Sequence, residues 1–208
     1  MPKKLIVGLG NPGADYADTR HNLGWLAVET LAKRQTSTFR EERSLHTLLA
    51  DTRFDHEQAL LSLPITYMNE SGRAVQAIAQ YFKIPLTNIL LVQDELDYAF
   101  GTFAFRENGS PGGHNGIASI YELTGTTQFS RLRIGIGRPV EPLTSKDYVL
   151  QKFSQIERAE LSNTLERAAD AIECWIREGL TKTMNLWNGS RYDTAAEPTP
   201  PVGRDRII

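Results

Sequence analysis

The sequence predicts an α/β fold: a single domain built on a mostly parallel sheet flanked by helices. Three observations lead there. Short apolar runs alternate with stretches of helical periodicity, and the chain holds no internal repeat. The composition, 40% hydrophobic and 23% charged over 208 residues, is that of a globular protein and excludes a wholly disordered one. That length suits one sizeable domain, assigned to residues 1–190.

Taken in order, Leu5–Leu9 reads as a buried strand closed by glycines, and Leu23–Lys33 as a helix. Strand-like runs at His46–Ala50 and Ala59–Leu63 predict a hairpin. Asn69 or Ser71 is placed to cap a helix with Val75, Ile78, Tyr81 and Phe82 on one face, stopped before Pro85. Ile89–Val92 is another buried strand, Gly116–Leu123 a short helix, and Leu132–Ile136 a strand ended by Gly137-Arg138-Pro139. The spacing of Leu161, Leu165, Ala168, Ile172 and Ile176 predicts a helix over 155–178, with Gly179 as its stop and a last helix over 180–187. Residues 191–208, with Pro198, Pro200 and Pro201 among polar neighbours, are expected to form a flexible tail.

Charge narrows the function. Lys plus Arg number 23 and Asp plus Glu 25, for a net charge of −2. A protein that coats nucleic acid indiscriminately needs a large basic excess, so any polyanion must meet a local patch. The single cysteine, Cys174, excludes an intramolecular disulfide and a multi-thiolate metal site. The opening apolar stretch is too short for a signal peptide, and no run approaches the ~20 apolar residues of a membrane span. The expectation is a soluble protein in a reducing, cytoplasmic setting.

Six clusters carry the chemistry. Gly8-Leu-Gly10-Asn11-Pro12-Gly13 follows the first strand and satisfies the dinucleotide pattern G-x-G-x-x-G. That pattern needs its third glycine inside a helix, whereas Pro12 and a polar stretch delay the helix to about His21. A nicotinamide-dependent oxidoreductase is thereby disfavoured, and Asn11 is left as a carboxamide at a strand end, where open sheets bind ligands. The second cluster holds Tyr16 and Thr19-Arg20-His21-Asn22; His21 opens a helix on that edge, and Arg20 is either a surface charge or a partner of the acidic segment. In Tyr67-Met68-Asn69-Glu70-Ser71-Gly72, Met68 suits either core or a site that accepts varied side chains.

Gln93-Asp94-Glu95-Leu96-Asp97 follows the strand Ile89–Val92. Its carboxylates suit a hard cation or the orientation of a histidine, and the latter is favoured for Asp94. Gly112-Gly113-His114-Asn115-Gly116 adds another amide in Asn115, with His114 read as structural or supporting. Ser110 lacks the G-x-S-x-G context, and His56-Glu57 lacks the second histidine of a zinc motif. In Arg131-Leu-Arg133-Ile-Gly-Ile-Gly, strand alternation puts both arginines on one face, with Arg106 upstream. Arg106 and Arg133 are the candidate phosphate clamps, and Arg131 is expected to turn towards a structural partner if the strand twists.

Together these motifs, collinear from about Lys4 to Asn188 and closing on Met184-Asn-Leu-Trp-Asn188, resemble the bacterial peptidyl-tRNA hydrolase family. The resemblance implies a single α/β domain around a twisted mixed sheet, a monomer, and no metal or organic cofactor. It implies hydrolysis of the ester between peptide and tRNA, recycling tRNA after aborted translation. The partner is then peptidyl-tRNA, met through its acceptor stem and peptide, with no membrane and no obligate protein partner. By position, His21 matches the essential histidine, Asp94 its partner, and Asn11, Asn69 and Asn115 the site asparagines. Tyr16 and Met68 match cleft residues, and Arg106 and Arg133 match basic residues that meet tRNA phosphates. Gln93 stands where a histidine is common, and Pro111 where a small residue is. The rival reading is a non-catalytic RNA-binding relative, which retention of His21, Asp94 and the asparagines disfavours.

Overall fold

β1 (Lys4–Gly8) lies at the centre of a seven-stranded sheet, because apolar side chains on both of its faces must be covered. Leu5 and Val7 enter one buried apolar cluster and Ile6 the other. The computed structural model describes residues 3–188; the expected tail, 191–208, lies outside them. The other strands are β2 (Arg40–Glu42), β3 (Thr47–Phe54), β4 (Glu57–Pro64), β5 (Ile89–Glu95), β6 (Phe103–Arg106) and β7 (Ser130–Gly135). Their order is β2-β3-β4-β1-β5-β7-β6.

The sheet is mixed, with its parallel pairings gathered at the centre. β4, β1, β5 and β7 run parallel, while β2, β3 and β4 pair antiparallel at one edge and β6 and β7 at the other. Three pairings of each kind result, a larger antiparallel share than the strand–helix alternation suggested. The extra pairings come from the β3–β4 hairpin and from two short edge strands, β2 and β6.

Helices cover both faces. α1 (Leu23–Arg34), the long α5 (Gln155–Glu178) and the α6 (Leu180–Trp187) that packs on β6 supply one side. α2 (Ser71–Phe82) and α3 (Asn115–Thr124) pack together on the other. The remaining α4 (Ser145–Val149) follows the last strand. Ser154 opens α5 with a reciprocal capping box to Glu157, which is why this helix starts where the sequence places it.

Two local expectations give way. Neither Asn69 nor Ser71 caps α2: a 3-10 turn over Met68–Glu70 precedes it, and Ser71 Oγ donates to the Met68 carbonyl at 2.8 Å. Tyr81 does not share the buried face with Val75 and Ile78 but is 71% exposed.

The topology makes the site. The chain leaves β1, places β4 beside it, then crosses to the other side of β1 to form β5. The carboxyl ends of β4, β1 and β5 therefore meet at a point where strand order reverses, the usual crevice of an open α/β sheet. Asn11 follows β1, Met68 and Asn69 follow β4, and Asp94 is the second-to-last residue of β5.

Candidate active site

Close backbone approach brings the histidine to the aspartate. Gly24, in the first turn of α1, sits so tightly on β5 that a Cβ there would collide with the Val92 carbonyl oxygen. The contact docks the start of α1 two residues before Asp94. His21 occupies a 3-10 turn, Arg20–Asn22, immediately ahead of that helix. Its Nδ1 lies 2.9 Å from Asp94 Oδ1, with the histidine 7% and the aspartate 4% exposed. Asp94 belongs to the strand rather than to a loop beyond it, which fixes its direction.

A second imidazole meets the same oxygen. His114 Nε2 lies 3.1 Å from Asp94 Oδ1, and His114 Nδ1 accepts the Ile117 N–H at 3.4 Å as the N-cap of α3. An ionised carboxylate only accepts, so both imidazoles donate to it. His114 has thus spent both nitrogens. His21 has spent only Nδ1, and its Nε2 is left as an acceptor.

Burial alone would raise the Asp94 pKa, but the two histidines outweigh it and hold the carboxyl well below its ordinary range. Burial opposes charge on His21 too, yet the Asp94 charge and hydrogen bond win and raise its pKa above the ordinary 6.5. His21, Asp94 and His114 also present potential metal-ligand atoms within 4.8 Å of one another. The acidic run that the sequence offers to a hard cation does not converge: Glu95 pairs with Arg133 and Asp97 with Arg138.

The pair opens into a cavity of about 560 Å³. Asn11, Met68, Asn69 and Asn115 line it with His21 and Asp94, as the sequence places them. Asn11 is oriented: its Oδ1 accepts the Met68 N–H at 2.8 Å, and its backbone exchanges bonds with the Asn22 carboxamide at 2.9 Å. Its Nδ2 is therefore left as a donor. Asn69 and Asn115 are exposed. Met68 is both core and wall, since a Cβ on Gly116 would run into its sulfur.

Other residues fall elsewhere. Tyr16 is not among the cavity lining; it is half-buried, and its carbonyl accepts from the Thr19 hydroxyl and N–H. Arg20 is buried against Glu157 of α5 at 2.7 Å, not against the acidic segment. Its Nη1 also donates to the carbonyls of Tyr148, Gln151 and Lys152, tying α4 and its exit to the His21 turn. Arg131 is buried, holding the Ser110 and Asn108 carbonyls of the glycine-rich loop. Arg133 pairs with Glu95 at 2.5 Å, and it shares the Tyr98 hydroxyl with Arg106. Neither Arg106 nor Arg133 lines the cavity.

Sequence reasoning passes over Tyr67, Lys146, Val149 and Leu150, all of which line the cavity. Tyr67 had a signal, since it adjoins Met68 in the same motif; in the structure its side chain is exposed. Lys146, Val149 and Leu150 had none, because the segment carrying them matches no motif.

Fold and site together define an open α/β protein with an imidazole–carboxylate pair on the floor of an amide-lined cleft. The peptidyl-tRNA hydrolase family matches residues 5–195. A peptidyl-tRNA hydrolase of Chloroflexus aurantiacus is 48% identical over 185 residues, covering 88% of this chain and 98% of the relative. One from Gloeobacter violaceus is 42% identical over 198 residues, covering 95% and 100%. The crystal structure of peptidyl-tRNA hydrolase from Acinetobacter baumannii superposes with a TM-score of 0.84 at 34% identity, covering 90% of this chain and 95% of that one. The chain belongs to the peptidyl-tRNA hydrolase family. No described helix is long and apolar enough to cross a membrane.

Proposed function

We propose that this enzyme hydrolyses the ester joining peptide to tRNA by direct attack of water, with His21 as general base. The observation that carries the mechanism is His21 Nδ1 on Asp94 Oδ1 at 2.9 Å, which leaves Nε2 to take a proton from water. Asp94 fixes the tautomer and favours the imidazolium as it forms. No covalent nucleophile is invoked: neither a serine nor a cysteine lines the cavity beside His21 except Ser145 on α4, which has no base partner among the described residues.

The Nδ2 of Asn11 is assigned to the oxyanion, because its oxygen is already engaged and its donors remain. Asn69 and Asn115 offer amides to the peptide backbone, with Met68 as an adaptable apolar contact; Tyr16 is assigned to the substrate by its place in the motif alone. Backbone readout of this kind accepts any peptide sequence and neglects a free aminoacyl group.

Arg106 and Arg133 are assigned to tRNA phosphates outside the cavity. The two lie on neighbouring strands and share the Tyr98 hydroxyl, with Glu95 paired to Arg133, in an otherwise acidic chain. The protein is read as a cytoplasmic monomer with its enzyme domain over residues 1–190 and no cofactor. The test is incubation with N-blocked and unblocked aminoacyl-tRNA. Rapid release from the blocked substrate alone is expected, and tRNA binding without hydrolysis of either would establish the RNA-binding alternative.

A further inference from the structure

Two carboxylates line the cavity, and both are already matched. Asp94 serves two histidines, and Glu95 pairs with Arg133. Among the described residues of the lining, Lys146 is the single lysine or arginine. It has no ion pair there, and the neighbouring Asp147 is engaged instead with the Thr144 hydroxyl at 2.7 Å.

The position of this lysine is built into the structure. Tyr148, two residues on, donates its hydroxyl to the Ile136 carbonyl at 2.7 Å and lies under the Arg20 guanidinium at 4.2 Å. Arg20 also holds three carbonyls at the end of α4 and precedes His21 in the chain. The backbone that carries Lys146 is thus fastened to the turn that carries His21. An unmatched cation on a wall fixed relative to the general base is placed for an anion bound close to the reacting ester.

The hydrolase reading supplies that anion, and the inference rests on it. In peptidyl-tRNA the ester sits on the terminal ribose, and the nearest negative charge is the phosphodiester on the 5′ side of the same nucleoside. We infer that Lys146 binds this last phosphodiester, a contact separate from the arginines outside the cavity. The pairing is a point-charge contact by a flexible ammonium, in keeping with a lysine rather than an arginine at a site that adjusts to its ligand. Its worth is that of a partly exposed charge-assisted hydrogen bond, about five- to tenfold in affinity.

The experiment compares two small N-acetylaminoacyl esters, one of the dinucleotide CpA, which holds one phosphodiester, and one of adenosine, which holds none. The kcat/KM ratio of the first to the second is measured for the wild type, Lys146→Met and Lys146→Arg. The inference expects this ratio to fall about five- to tenfold in Lys146→Met, through KM, and to stay within about twofold of wild type in Lys146→Arg. An unchanged ratio in Lys146→Met overturns it, whether both esters are cleaved more slowly to the same degree or neither is. Wild-type hydrolysis of N-blocked aminoacyl-tRNA is measured alongside, and its absence would reject the hydrolase reading itself.

Discussion

Asp94 Oδ1 receives two imidazoles, and only His21 has a nitrogen left over for chemistry. The pH behaviour follows from the signs. Below the raised pKa of His21 the ring is protonated and cannot act as a base, so kcat/KM should fall on the acid side with a midpoint above 6.5. Asp94→Asn removes the charge that raises this pKa, so the acid limb should move to lower pH while the plateau drops at least ~10²-fold. Stability carries the same signature. Asp94, depressed in the fold, contributes above its ordinary 3.8 and loses that contribution as pH falls further. His21, raised in the fold, contributes below 6.5 and loses it as pH rises through its folded pKa. The Tm gap between wild type and Asp94→Asn should therefore be widest between those values and narrow on both sides. At this scale much was legible: His21, Asp94, Asn11, Asn69, Asn115 and Met68 all border one cavity, because each belongs to a motif at a strand end or a helix start. Tyr16 was not, since a motif gives proximity along the chain and says nothing of which way a ring turns. His114 was rightly read as structural or supporting, but its partner was not legible, because the contact to Asp94 spans 20 residues and a helix cap.

The elements hold the pair together by contact between backbones. Gly24 lets α1 rest on the Val92 carbonyl, and any larger residue must push the helix start, and His21 with it, off β5. Gly24→Val should cost ~1–3 kcal/mol in urea unfolding and reduce kcat more than the smaller folded fraction explains. A variant that keeps full activity would separate this packing from the site. The longer elements were readable because periodicity needs length: α5 and α6 fall at their expected bounds. β2, β6 and α4 have three, four and five residues, too few for a period to show. The cost was larger than the missing residues. β6 and β2 supply two of the three antiparallel pairings, and α4 supplies a whole wall of the cavity.

Over the whole molecule, a net charge of −2 gives no general attraction for tRNA, so binding rests on a few cations in the right places. Arg106→Ala should weaken binding of full-length tRNA and flatten its plot of log affinity against log salt by roughly 0.7–0.9 for each phosphate no longer held. Arg133 is a sharper case, because it also pairs with Glu95. Arg133→Ala should raise KM for full-length substrate more than for a short ester without distal phosphates. Equal effects on both would mark it as scaffold.

The claim on which the rest depends is that His21 is the base that activates water. It is tested most directly by single-turnover hydrolysis of N-blocked aminoacyl-tRNA with saturating wild-type or His21→Ala enzyme, alongside tRNA affinity and unfolding of the same samples. The account predicts a rate lower by at least ~10²-fold in the variant, with binding and folding largely retained. A variant that cleaves at close to the wild-type rate would contradict it.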